Sequence, residues 1–126
     1  MDAFQDLFHT LRRIMLTATG ALQREVDTNR ELSLRTSHRL KNGQLMWFGG
    51  VKIGRAYVSF HLMPVYVNPS LLDTVSPALL KRMHGKSCFN FKRADTAVLE
   101  ELAALTRRGY EDFGQRGWCE ARRREP

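Results

Sequence analysis

The spacing of apolar positions changes several times along the chain, and each change marks a new element. Phe4, Leu7, Phe8, Leu11, Ile14 and Met15 recur at intervals of three and four, which places them on one stripe of a helix. Asp2 and Asp6 near its start and Arg12 and Arg13 near its end suit the helix dipole, and Gly20 follows the expected end. Residues 22–40 are polar and alternate only weakly. Asp27-Thr28-Asn29-Arg30 reads as a turn between short strands at 22–26 and 31–35. Lys41-Asn42-Gly43 is the next break, and it leads into two alternating runs joined at Gly54-Arg55.

Glycine at the first position of a two-residue turn predicts a II′ hairpin with positive φ at Gly54. That turn sets Ile53 opposite Ala56, Val51 opposite Val58, Gly49 opposite Phe60 and Trp47 opposite Leu62. The resulting face is apolar. The other face pairs Lys52 with Tyr57, Gly50 with Ser59, Phe48 with His61 and Met46 with Met63, a mixed surface on which binding can occur.

Pro64 and Pro69 then stop strand pairing. Asn68-Pro69 and Ser76-Pro77 each place a capping side chain before a proline at the first helical position, so two short helices are expected, the second ending at Gly85. Residues 87–92 alternate, with Phe89 and Phe91 on one side and Cys88 and Asn90 on the other, as in a short strand. The last helix starts at Asp95 and carries Val98, Leu99, Leu102, Leu105 and Phe113 on one stripe. Gly109 falls inside that stripe, where it allows close approach to the sheet, and Gly114 or Gly117 ends the helix. The order argues an α+β fold: an antiparallel sheet of about five strands with the N-terminal and C-terminal helices packed on one face. One domain is expected over residues 1–117, followed by a basic tail over 118–126. The mixed face is then open, plugged by residues 64–75, or a dimer interface.

At 126 residues the chain buries roughly two-thirds of its unfolded surface and needs neither metal nor disulfide to fold. Twenty basic against 13 acidic residues give a net charge of +7, which favours anionic partners without naming one. A small anionic ligand, a protein partner or a nucleic acid all fit that balance, although no nucleic-acid motif is present. Cys88 and Cys119 form no framework, so free thiols in a reducing, cytoplasmic compartment are expected. No secretory signal is visible, and no apolar run is long enough to span a membrane. The first helix carries both charge signs on its polar face, which favours core packing over membrane binding.

Candidate chemistry is sparse. Gly85-Lys86-Ser87 looks like the end of a phosphate-binding loop, but the required earlier glycine is Leu80, and a helix end followed by a strand explains the triplet. His61, His84 and Cys88 are the only plausible metal set near the hairpin, one ligand short of a structural zinc site. Cys88 and His61 could form a nucleophile pair with Asn90 as orienting group, if the thiol pKa were lowered. No catalytic residue, metal ligand or cofactor is assigned from these patterns. The mixed face is the stronger candidate: Phe48, Lys52, Tyr57 and His61, joined by Lys86, Cys88 and Asn90, form a proposed ligand-binding set.

The block MWFGGVKIGRAYVSFHLMPVYVNPSLLDTVSPALLKRMHGKSCFNFK, followed by ADTAVLEELAALTRRGYEDF, resembles the YdhG-like domains of unknown function found in bacteria. HLMPVY, SPALLKRM and GKSCFNFK carry most of the likeness, which covers residues 45 to about 113. The resemblance implies a small α+β fold with a curved antiparallel sheet and flanking helices. It also implies kinship with a frataxin-like intracellular iron chaperone, a type that binds iron through acidic residues on its first helix and sheet edge. Here the first helix offers Asp2 and Asp6. The leading reading is therefore a cytoplasmic, non-enzymatic binding domain, monomeric or homodimeric, with an unidentified ligand or partner. An iron or metal chaperone comes second, and an anionic-ligand or nucleic-acid binder third.

Overall fold

Both long helices form where the apolar stripes place them. In the computed structural model, which describes residues 3–120, helix α1 spans Ala3–Ala18 and helix α4 spans Thr96–Gln115. Asp2 and the tail from residue 121 onward lie outside the described residues. Leu7, Phe8, Leu11 and Met15 of α1 are buried, as are Val98, Leu99, Leu102, Leu105 and Phe113 of α4. The Asp95 carboxylate caps α4 by accepting from the Val98 N–H at 3.5 Å. At its other end Gly117 takes φ 80°, and the Gly117 and Trp118 N–H groups donate to the Gly114 and Phe113 carbonyls. This Schellman closure seats the Trp118 ring edge-on against Phe113 at 5.0 Å. Trp118 and Cys119 pack, partly buried, against the core.

Between the helices run strands β1 (Gln23–Asp27), β2 (Glu31–Arg39), β3 (Leu45–Ile53), β4 (Val58–Leu62), β5 (Met83–His84) and β6 (Cys88–Phe91). They form one antiparallel sheet in the order β1-β2-β3-β4-β6-β5. The fold is α+β with six strands, and α1 lies across β3 and β4 beside α4. The added strand is β5, a two-residue pairing too short to leave an alternation. It begins just after the short helix α3 (Pro77–Leu80), which ends before Gly85 is reached. Gly85 is instead in the β5–β6 turn with φ 78°, so Gly85-Lys86-Ser87 is a hairpin loop.

The hairpin register differs from the expected one. Ile53 pairs with Val58, Val51 with Phe60 and Gly49 with Leu62, a slip of two residues. Gly54 does not take positive φ; its N–H donates to the Tyr57 carbonyl at 2.9 Å across a longer loop over 54–57. Because side chains alternate with a period of two, that slip leaves Val51, Val58, Phe60 and Leu62 on the core face.

A bulge in β3 has the opposite effect. Leu34 pairs with Gly49 but Arg35 pairs with Trp47, so Phe48 is the extra residue. The parity of the strand reverses there. Phe48, expected on the mixed face, is fully buried and stands edge-on to Tyr110 at 6.0 Å and Phe113 at 5.7 Å. Trp47, expected in the core, turns to the other face, while Met46 packs against the core. Two glycines next to the bulge make this possible. A Cβ at Gly49 would collide with the His61 carbonyl oxygen, and one at Gly50 with the Leu32 carbonyl oxygen.

Residues 64–75 do not plug the mixed face. Pro64 opens a short helix α2 (Met63–Val67), and a 3-10 turn follows over Pro69–Leu72. This segment packs on the helix side: Asn68 Nδ2 donates to Asp112 Oδ1 at 2.9 Å, and Arg108 donates to the Leu71 carbonyl. A Cβ at Gly109 would come within 2.9 Å of Pro64 Cβ, so the glycine brings α4 against α2 more than against the sheet. Among the described residues nothing covers the second sheet face, where Lys52 is exposed and Ser59, His61, Cys88 and Asn90 are half-buried. No helix among the described residues is long and apolar enough to cross a membrane.

Candidate functional site

Alternation along β4 sends Val58, Phe60 and Leu62 inward and Ser59 and His61 outward. The β4–β6 register then sets Asn90 beside Ser59 and Cys88 beside His61. Ser59 Oγ donates to Asn90 Oδ1 at 3.2 Å, and the Cys88 thiol donates to the same oxygen at 3.3 Å. Cys88 Sγ also lies 3.6 Å from His61 Nε2. On the far side of His61 the bulge places Trp47, ring centroids 5.6 Å apart. Trp47 Nε1 donates to Ser33 Oγ at 2.9 Å, Ser33 Oγ donates to Glu25 Oε2 at 2.8 Å, and Arg35 donates to Glu25 Oε1 at 2.8 Å. A string of polar and aromatic contacts thus crosses the open face from β1 to β6.

Gly50 sits in the middle of this string without a side chain. Its backbone floors a hollow of about 190 Å³, walled by Ser33, Trp47 and His61, with Lys52 and Glu31 at the rim. Glu31 and Lys52 face each other directly across β2 and β3, so the rim offers an acceptor and a donor together.

Burial works against charge on both Cys88 and His61. Burial, then the Lys52 ammonium, lowers the His61 pKa below its ordinary range. Burial raises the Cys88 thiol, an effect partly offset by a hydrogen bond with Ser59. A cysteine nucleophile needs the reverse, a thiol driven toward thiolate by a cationic neighbour. Glu25 is held below the usual carboxylate range by its hydrogen bonds from Arg35 and Ser33.

Of the residues singled out from sequence, Lys52, His61, Cys88 and Asn90 share the open face. Phe48 does not join them, because the bulge commits it to the core. Tyr57 stands exposed in the hairpin loop, apart from the hollow. Lys86 lies in the β5–β6 turn with its ammonium 6.0 Å from the Tyr66 ring centroid, beside a different cavity. Trp47, Ser33 and Glu31 were not legible as site residues. The signal that could have found them is Gly49-Gly50, since glycine inside a strand marks a bulge or a close backbone approach. His84 lies opposite Cys88 in the β5–β6 register, yet among the described residues no three His, Cys, Asp or Glu side chains converge to hold a metal ion. No family model matches the chain, and neither a curated protein nor a solved structure matches it significantly.

Proposed function

We propose that this chain is a small, non-enzymatic binding domain that holds a flat, hydrogen-bonding ligand on the open face of its sheet. The hollow over Gly50 carries this reading. It joins a backbone floor, two ring walls in Trp47 and His61, and paired polar groups in Glu31 and Lys52. A planar heterocycle such as a nucleobase suits those parts: its face lies on the floor, an exocyclic amine meets Glu31, and a ring acceptor meets Lys52. Strand-borne groups keep such a geometry better than loop-borne ones. The raised Cys88 thiol runs against a thiolate nucleophile and so supports binding over cysteine catalysis. Two free thiols suit a reducing, cytoplasmic setting.

The YdhG-like resemblance remains part of this proposal and rests on the segments named above. An iron-chaperone role gains no support from α1, in which Asp6 is the only carboxylate among the described residues. The test is titration of the protein with adenosine, followed by Trp47 fluorescence in a Trp118→Phe background. Saturable quenching that disappears in His61→Ala, with an unchanged unfolding midpoint, is expected. Equal quenching in both proteins, or unfolding of the His61 variant, would remove the site.

A further inference from the structure

On the helix-bearing side, away from the open face, the wall of the core stops short of the sheet edge. Helix α2 and the turn after it end at Leu72, and β5 contributes only Met83 and His84. Between them lies a cavity of about 600 Å³, walled by Val65, Tyr66, Pro69, Leu72 and Met83. Its size is that of a small-molecule pocket, and methionine gives it an adaptable wall. Among the described lining residues Lys86 is the one cation. Gly85, with φ 78°, closes the tight β5–β6 turn and brings Lys86 to the rim, its ammonium facing the half-exposed ring of Tyr66. Among the described residues no ion pair involves Lys86 and no carboxylate lines the cavity.

We infer that this cavity binds a monoanionic amphiphile, a carboxylate carrying an apolar tail. The tail enters against Val65, Leu72 and Met83, where removal from water stabilises it. The carboxylate stays at the mouth because an unpaired charge cannot be buried among apolar walls, and Lys86 supplies its charge-assisted partner. Charge complementarity selects this occupant: among the described residues the rim holds a lysine and no acid, inside a chain of net charge +7. Against the open-face hollow, where Glu31 balances Lys52, an anion gains less. The two sites share no residue, so each can fail alone.

The experiment is calorimetric titration of the full chain with decanoate below its micelle concentration, with decanol as the uncharged control. Wild type should bind decanoate at one site, and decanol more weakly. Lys86→Glu, an exposed change in a turn, should weaken decanoate by about tenfold or more while leaving the thermal unfolding midpoint in place. A second variant, Leu72→Gln, should weaken both ligands. Absence of saturable decanoate binding, equal affinity for decanol, or an unaltered affinity in Lys86→Glu would each overturn the inference.

Discussion

Replacing Phe48 with alanine separates the bulged strand from a regular one. In a regular strand Phe48 would stand beside His61 on the open face, and its loss would cost little. In the observed strand it is fully buried between Tyr110 and Phe113. A buried phenylalanine cut to alanine costs about 3–5 kcal/mol, from lost transfer energy and the remaining cavity. Two edge-on ring pairs, at 6.0 and 5.7 Å, add about 0.5–1.5 kcal/mol each and place the expected loss near the upper end. The cavity cannot readily collapse, because α4 is held by its Gly109 contact with Pro64 and by the closure at Gly117. A domain of this size has only about 5–15 kcal/mol in total, so Phe48→Leu, expected to cost about 1–2 kcal/mol, provides a variant that stays folded. Urea denaturation with linear extrapolation measures both. Trp47→Ala, which removes a half-buried ring and one hydrogen bond, should cost about 1–2 kcal/mol. A loss below about 1 kcal/mol for Phe48→Ala, with more than about 3 for Trp47→Ala, would refute the bulge.

Other consequences follow from the same geometry. Gly109→Ala should destabilise by about 1–3 kcal/mol by wedging α4 from Pro64, whereas alanine at an open helical position would stabilise by about 1 kcal/mol; the sign of the shift in urea midpoint decides. Because the folded His61 pKa lies below its unfolded value of about 6.5, the unfolded chain takes up the proton first as pH falls. Stability should therefore drop as pH falls below about 6.5, less so in His61→Gln, and parallel urea midpoints for the two proteins between about pH 7 and 5.5 would contradict this. Below the ordinary carboxylate range Asp27, lowered mainly by its hydrogen bond from Arg12, adds to the loss in the same direction. Cys119 is pushed up to about 11 and Cys88 is also raised, so both should alkylate with iodoacetamide more slowly than free cysteine at pH 7.5, Cys119 by about tenfold or more. Alkylation of Cys88 faster than free cysteine would show an activated nucleophile.

Much of the architecture could be read from periodicity because long elements repeat their signal. The stripe from Leu7 to Met15 and that from Val98 to Phe113 each span several turns, and both are buried as expected. The hairpin faces survived a wrong turn because the register slipped by an even number of residues. Where one residue decided the outcome, alternation misled. The bulge exchanges Phe48 and Trp47, and nothing in their hydrophobicity distinguishes them; the edge-on contacts of Phe48 with Tyr110 and Phe113 on α4 are a tertiary property. Strand β5 and helix α2 are too short to repeat any pattern. The candidate site was legible in part for the same reason. His61, Cys88 and Asn90 lie on regular strands and meet as alternation requires, whereas Trp47 and the Gly50 floor depend on the bulge. Lys86 followed Gly85 into a hairpin turn and away from the open face.

The open face as binding surface is tested most directly by mapping backbone amide shifts of the full chain during titration with adenosine. Saturable changes centred on Ser33, Trp47, Gly50, Lys52 and His61 are expected, with the buried helix side of the sheet little affected. Changes centred instead on Val65, Tyr66 and Met83, or no saturable change at all, would contradict it.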